Sequence, residues 1–363
     1  MARGVRCVPA ALWSVAAALS CAPGCAALSA AVVPEAGAPS GALAMHAATK
    51  TVSALVFDPS ECKVCAFNGP AAPRLFIDGR DDGLGNNVEA IIYGMAFARK
   101  TGMSFGGVVG GGKMAHGLQV AKIVADIFGL NKDHLYLRSM PMSSQVVQVK
   151  HLTDIEKLRL DKNTNDVWLQ TNMPQSGVKA PRTIDEFLDD EFLEALRAQV
   201  LPQLVEQHPL SEIRRGNGPV VAMHVRRGDV SATNSNKNRY TKNEFYYDLA
   251  ARIRAELPGA DVHVWSETAG STPEDIDGFR SRNITLHLDT DIVETWSHMA
   301  QAQVLVMAKS SFSFISAILN RGCVVYQPWL TRPLAGFTKT SPQDGLSETA
   351  LSACLDKTRG HAA

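Results

Sequence analysis

Residues 219–230 read Pro-Val-Val-Ala-Met-His-Val-Arg-Arg-Gly-Asp-Val, and this string constrains the fold more than any other in the chain. Its first half, Val220 to Met223, is the uninterrupted apolar run of a strand buried on both faces, as in parallel sheets. Its second half sets His224, Arg226, Arg227 and Asp229 close together and ends the strand near Gly228. In open α/β sheets, ligands bind beyond the carboxyl ends of the strands. Two adjacent arginines at such an end suit an anion, because guanidinium forks match phosphate oxygens bidentately. Side chains alternate along a strand, so Arg226 and Arg227 are expected on opposite faces. One then meets the ligand, and the other pairs with an internal carboxylate such as Asp229.

The same apolar punctuation recurs along the chain. Leu75-Phe76-Ile77-Asp78 reads as a first strand, followed by the glycine-rich loop Gly79–Asn87 and an amphipathic helix ending near Lys100. Val108-Val109 reads as a second strand, 117–128 as a helix and Val167–Leu169 as a strand. Residues 183–207 read as a helix with Phe187, Phe192, Leu193, Leu196, Val200, Leu204 and Val205 toward the core, and Pro202 predicts a kink or break in it. Beyond the central strand, helices at 242–257 and 291–302 alternate with strands at 261–266, 284–288, 304–307 and 323–326. Alternation of this kind predicts parallel, doubly wound sheets. A chain of 363 residues holds two such domains, with boundaries expected at 54–215 and 216–340 and a C-terminal tail at 341–363.

The first 33 residues carry Arg3 and Arg6, an apolar run from Val8 to Ala22, and then small residues. That is the pattern of a secretory signal peptide or an uncleaved signal anchor, and so of possible membrane attachment. The lack of acidic residues before Glu35 also fits an organellar transit peptide. Residues 34–53, rich in Ala, Gly, Pro and Ser, read as a stem or linker. Four cysteines follow, Cys62, Cys65, Cys323 and Cys354, which allow two disulfides in three pairings. A local Cys62–Cys65 bridge fits better than a zinc site, since no second ligand pair follows at suitable spacing. Lys+Arg and Asp+Glu both number 36, and this neutral balance argues against a nucleic-acid partner.

Two further strings point to negative charge. Glycines before a helix, as in Gly83-Leu84-Gly85-Asn86, allow a ligand close to free backbone N–H groups. The run Ser310-Ser311-Phe312-Ser313, between an apolar strand and an apolar helix, is first of all a helix cap, and its hydroxyls also sit at the positive end of the helix dipole.

The string His224-Val225-Arg226-Arg227-Gly228-Asp229 resembles the signature of the α-1,2-, α-1,6- and protein O-fucosyltransferase superfamily, nearest its α-1,2-like branch. The Gly83–Asn86 segment resembles that superfamily's Gly-Leu-Gly-Asn-Gln, with Asn87 here in place of Gln. Ser310-Ser311-Phe312-Ser313 resembles its Ser-x-Phe-Ser motif, and the stretch Asp289–Ala302 resembles the segment leading into it. The three strings fall in family order over residues 75–330.

The resemblance implies a GT-B arrangement, two Rossmann-like domains facing each other across a cleft. It implies an inverting transfer of fucose from GDP-fucose to a hydroxyl of a glycan or glycoprotein in the secretory pathway, in the Golgi. Arg226 is then expected on the β-phosphate, with Ser310, Ser311 and Phe312 at the diphosphate. Gly85, Asn86, His224, Glu267 and Asp289 are further donor contacts, with Asp291 an alternative to Asp289. Asp82 is the first candidate for the base, and Asp229 and Asp81 follow. No cofactor or metal is expected, because the arginines can replace a cation and both Asp-x-Asp strings (275–277 and 289–291) read as helix-start acids. The rival reading is a non-catalytic glycan- or nucleotide-binding protein that keeps the fold.

Overall fold

The computed structural model describes residues 62–66, 68, 72–80, 82–110, 120–130, 135–140, 146–149, 166–170, 187–329, 333–341 and 345–359. The leader and stem readings lie outside these residues. Among the described residues, no helix is long and apolar enough to cross a membrane.

The protein is mixed α/β, built on two parallel sheets. The first contains β1 (Arg74–Asp78), β2 (Ser104–Val109), β3 (Tyr136–Leu137), β4 (Val146–Val149) and β5 (Asp166–Leu169), in the order β3-β2-β1-β5-β4. The second contains β6 (Val220–His224), β7 (Asp261–Ser266), β8 (Thr285–Leu288), β9 (Val304–Val306), β10 (Cys323–Tyr326) and β11 (Thr338–Lys339), in the order β11-β10-β9-β6-β7-β8. Every strand pairing in both sheets is parallel. The predicted central strand is indeed central: β6 lies between β7 and β9, and all five of its residues are buried.

The helices are α1 (Leu84–Lys100), α2 (Val120–Phe128), α3 (Asp190–Gln207), α4 (Asn243–Glu256), α5 (Pro273–Arg280), α6 (Ile292–Gln301), α7 (Ser311–Leu319) and α8 (Glu348–Arg359). One apolar core joins the two sheets. Leu75, Ile77 and Val167 of the first meet α1 and α3, and through α6 and α7 the same core reaches Ala222 and Leu305 of the second. A second core fills the other face of the second sheet, where Tyr246, Ile253 and Leu355 cover Val221, Val264 and Val325. Each fully buried aliphatic or aromatic side chain contributes about 1.5–3 kcal/mol, so the shared core fixes how the two sheets meet.

Three expectations need correction. Of the helix expected at 183–207, α3 covers Asp190–Gln207 and runs unbroken with Pro202 inside it. Its Val205 is exposed, whereas Phe192, Leu193, Leu196, Val200 and Leu204 are buried as expected. The stretch expected as a tail carries α8, whose Leu351, Cys354 and Leu355 are buried. The cysteines pair as Cys62–Cys65 and Cys323–Cys354, and the second bridge ties α8 to β10.

Candidate functional site

Each sheet has a point where its strand order turns around. From β6 the chain goes outward through β7 and β8, then returns to β9 on the other side and continues to β10 and β11. The turnaround lies between β6 and β9, and the crevice beyond the carboxyl ends of such strands is where open α/β sheets bind ligands. Arg226 follows β6 and Ser310 follows β9. They meet there, with the Arg226 guanidinium donating to Ser310 Oγ at 3.0 Å.

The same guanidinium donates to Asp229 Oδ1 at 2.7 Å, and its buried Nε has no hydrogen-bond partner among the described residues. Gly228 makes the turn between them in the left-handed region, at φ 67°, where a side chain would be strained. It would also strike the Glu267 carboxylate, which lies against Gly228 at the end of β7.

Arg227 points the other way, as strand alternation requires, but its partner differs from expectation. It is 2% exposed and makes no ion pair with Asp229. It donates to Arg226 O at 2.8 Å, to Thr241 O at 3.2 Å and to Asn243 Oδ1, and stacks on Tyr240 at 4.5 Å. Asn243 in turn donates to Asp275 Oδ1 at 2.5 Å, so a neutral amide separates the buried guanidinium from its carboxylate. Asp229 pairs with Arg226 instead.

Ser310 is the N-cap of α7, accepting from Phe312 N at 3.3 Å, so the capping and site readings coincide in one hydroxyl. Ser311 is 5% exposed, and its hydroxyl makes no hydrogen bond among the described residues. Phe312 packs against His224 at 5.2 Å and Trp296 at 5.1 Å between ring centroids. Burial, aided by Arg226, Arg239 and Arg227, pushes His224 down to about 3. The imidazole therefore favours its neutral form at physiological pH.

The glycine-rich loop arrives from the first sheet. A Cβ on Gly85 would lie 2.5 Å from Phe312 N, so the N-termini of α1 and α7 touch through a position that only glycine fits. The loop is stapled around Asp82, which takes Arg80 bidentately and accepts from Asn86 Nδ2 at 3.0 Å. Asn87 donates to Asp82 O and Gly83 O at 3.2 Å each. Thus Asn87, where the resembling family carries Gln, works as a loop staple. Asp81 lies outside the described residues.

Asp289 stands apart from this cluster. It has φ 53° and accepts from Thr268 N at 3.0 Å, and hydrogen bonding from the Thr268 side chain, with that backbone bond, holds its carboxyl below the usual range. Asp291 caps α6 through Val293 N and Glu294 N, and Asp275 closes a capping box with Thr272, so both helix-start readings hold.

Sequence reasoning passed over one residue that belongs here. Arg239, in a loop read only as rich in Asn and Ser, donates to Lys309 O at 3.3 Å and lies over the Trp329 ring at 4.7 Å. It makes no ion pair among the described residues. Burial and the neighbouring Arg226 charge both push its guanidinium below its ordinary value. No local pattern marks such a residue, because it reaches the site only through the fold.

Comparison with known proteins adds little to this geometry. No protein-family model matches the chain, and no curated protein matches it. Among solved structures, the chain is similar to POFUT1 in complex with GDP, at 11% identity and TM-score 0.42, covering 70% of this chain and 96% of that one. It is similar to the fucosyltransferase NodZ from Bradyrhizobium, at 11% identity and TM-score 0.41, covering 68% and 92%. The E. coli heptosyltransferase WaaC with ADP matches at 12% identity and TM-score 0.40, covering 78% and 99%. The functional reading rests on the residues above, not on these likenesses.

Proposed function

We propose that this protein is a glycosyltransferase that moves fucose from GDP-fucose to a hydroxyl of a glycan or glycoprotein, with inversion and without a metal. The observation that carries this reading is the Arg226–Ser310 contact at the strand-order turnaround, reached by the glycine-rich end of α1. Preorganised donors aimed at developing charge are the largest source of rate in such chemistry. In this reading, Arg226 and the α7 N-terminus take the β-phosphate of the departing GDP, and Arg239 adds a second guanidinium. Glu267, at the end of β7, and Asp289 are assigned to the nucleoside.

We also propose that the protein works in the secretory pathway, in the Golgi. The two disulfides suit an oxidising compartment. A non-catalytic nucleotide-binding role is the second reading, favoured by one observation: Asp82 and Asp229 are both held by arginines, so neither stands free as a base. Release of GDP from GDP-fucose, compared with GDP-mannose and UDP-galactose and repeated in EDTA, separates the readings. The transferase reading expects turnover of GDP-fucose that EDTA leaves unchanged. Binding without turnover supports the second reading, and loss in EDTA with recovery in manganese removes metal independence.

A further inference from the structure

The first sheet has a turnaround of its own, and no residue of the three sequence strings lies in it. From β1 the chain runs outward through β2 and β3, then comes back on the other side as β4 and β5. The turnaround lies between β1 and β5. Asp78 is the last residue of β1, and Trp168 of β5 is the register partner of Phe76. They meet across it, with Trp168 Nε1 donating to Asp78 Oδ1 at 2.8 Å. The indole is half-buried, packed beside Phe76, Val109 and Leu137.

The carboxylates nearby show how unusual Asp78 is. At the opposite end of the same two strands, Asp166 takes Arg74 bidentately at 2.6 and 2.8 Å. Asp82 takes Arg80 and Asp229 takes Arg226. Among the described residues Asp78 has no cation partner, and Trp168 is the only hydrogen-bond partner of its carboxylate. Burial pushes its carboxyl up, and the Trp168 bond offsets only part of that. A half-buried carboxylate without such a partner is costly to hold ionised, and a carboxyl shifted upward beside a strand-order turnaround is a candidate for proton transfer. From Asp78 the chain leads directly through Gly79–Gly83 into α1, whose first turn abuts Ser311 and Phe312 beside Arg226. The two turnarounds thus lie at the two ends of one short connection.

We propose that Asp78 and Trp168 form the acceptor subsite, with Trp168 as the apolar platform for a sugar ring and Asp78 as the carboxylate that takes the proton of the attacking hydroxyl. This rests on the donor-site reading above. In the step, the hydroxyl oxygen bonds to the anomeric carbon as its proton passes to Asp78. The bond from that carbon to the β-phosphate oxygen breaks, and its electron pair leaves with GDP against Arg226. Asp78 then returns the proton to solvent.

The test uses the full chain and its Asp78→Asn, Asp78→Glu and Trp168→Ala variants. GDP affinity is measured first by calorimetry. GDP release from GDP-fucose is then followed from about pH 5 to 9, in water alone and with lactose, N-acetylglucosamine or methyl α-mannoside. All variants should bind GDP like the unsubstituted chain. Asp78→Asn should lose roughly 100-fold or more in kcat, together with the acid limb of the pH profile, and Asp78→Glu should recover part of both. Trp168→Ala should raise KM for the sugar about tenfold and leave kcat largely in place. Asp78→Asn should also melt at or above the unsubstituted chain, because the penalty on a half-buried charge is gone; a merely structural partner of Trp168 would melt lower. Near-normal turnover with the acid limb intact in Asp78→Asn overturns the assignment. So does an unsubstituted chain that binds GDP-fucose but releases no GDP under any of these conditions. A chain that binds no GDP sinks the donor-site reading and this inference together, and the first titration shows which has happened.

Discussion

Between β6 and β9 an arginine meets a serine, Arg226 on Ser310 at 3.0 Å, and between β1 and β5 an indole meets a carboxylate, Trp168 on Asp78 at 2.8 Å. One crevice gathers positive charge, from Arg226, Arg239 and a helix N-terminus. The other holds an acid that has no cation partner among the described residues. Both follow from the same topological rule, that a ligand settles where the strand order turns around, yet they suit opposite tasks: accepting a leaving anion and accepting a proton. The contrast teaches that a duplicated architecture divides labour through the few side chains at its strand ends and leaves the sheets alike.

The largest expected effect breaks the positive side. Arg226→Ala should lower turnover of GDP-fucose by at least about 100-fold, with an unchanged far-ultraviolet circular dichroism spectrum. A rate close to that of the unsubstituted chain would remove the asymmetry between the crevices.

Next in size is the joint between them. Gly85→Ala puts a Cβ 2.5 Å from Phe312 N, and the two helix ends must separate. Overpacking of this kind costs about 1–3 kcal/mol, and turnover should fall more than thermal stability does. An equal fall in both would show that the contact serves packing alone.

The two disulfides sharpen the comparison further. Cys323–Cys354 spans 31 residues and Cys62–Cys65 spans 3. Chain-entropy reasoning gives about 3–4 kcal/mol for the longer closure and about half that for the shorter. Denaturant titration of the Cys323→Ser/Cys354→Ser and Cys62→Ser/Cys65→Ser pairs should rank them in that order.

The last effect concerns pH. The second sheet and its helix α6 carry His224, His263, His287 and His298, all depressed chiefly by burial, His224 to about 3 and His287 to about 4. A histidine whose folded value lies below its unfolded value near 6.5 stabilises the fold above that pH, and the contribution is lost as pH falls below it. Each such group adds a slope of up to about 1.4 kcal/mol per pH unit. His287→Phe keeps a ring against Trp265, now stacked at 4.5 Å. It should flatten the loss of stability between pH 6.5 and about 4. An unchanged slope would mean that His287 titrates normally.

The legibility of the two crevices in the sequence differs for a physical reason. The positive crevice is assembled from contiguous strings, because a strand end and the turn after it present neighbouring residues to one ligand. His224 to Asp229 and Ser310 to Phe312 therefore announced themselves. Alternation along β6 also put Arg226 and Arg227 on opposite faces, but it could not say which of them Asp229 would pair with. Asp78 and Trp168 are 90 residues apart, and each reads locally as an ordinary strand residue. Only the order of strands in the sheet brings them together. Arg239 was hidden for the same reason, since its place beside Arg226 is set by a loop that folds back onto Lys309. Pro202 misled in the opposite direction: packing of Val200 and Leu204 into the shared core carries α3 through a residue that local propensity would have it stop at.

The most direct test of the account is a calorimetric titration of the full chain and its Arg226→Ala variant with GDP. The account predicts saturable binding to the unsubstituted chain and a loss of about 100-fold in affinity, roughly 2.7 kcal/mol, in the variant. No binding of GDP to the unsubstituted chain, or equal binding to both, would contradict it.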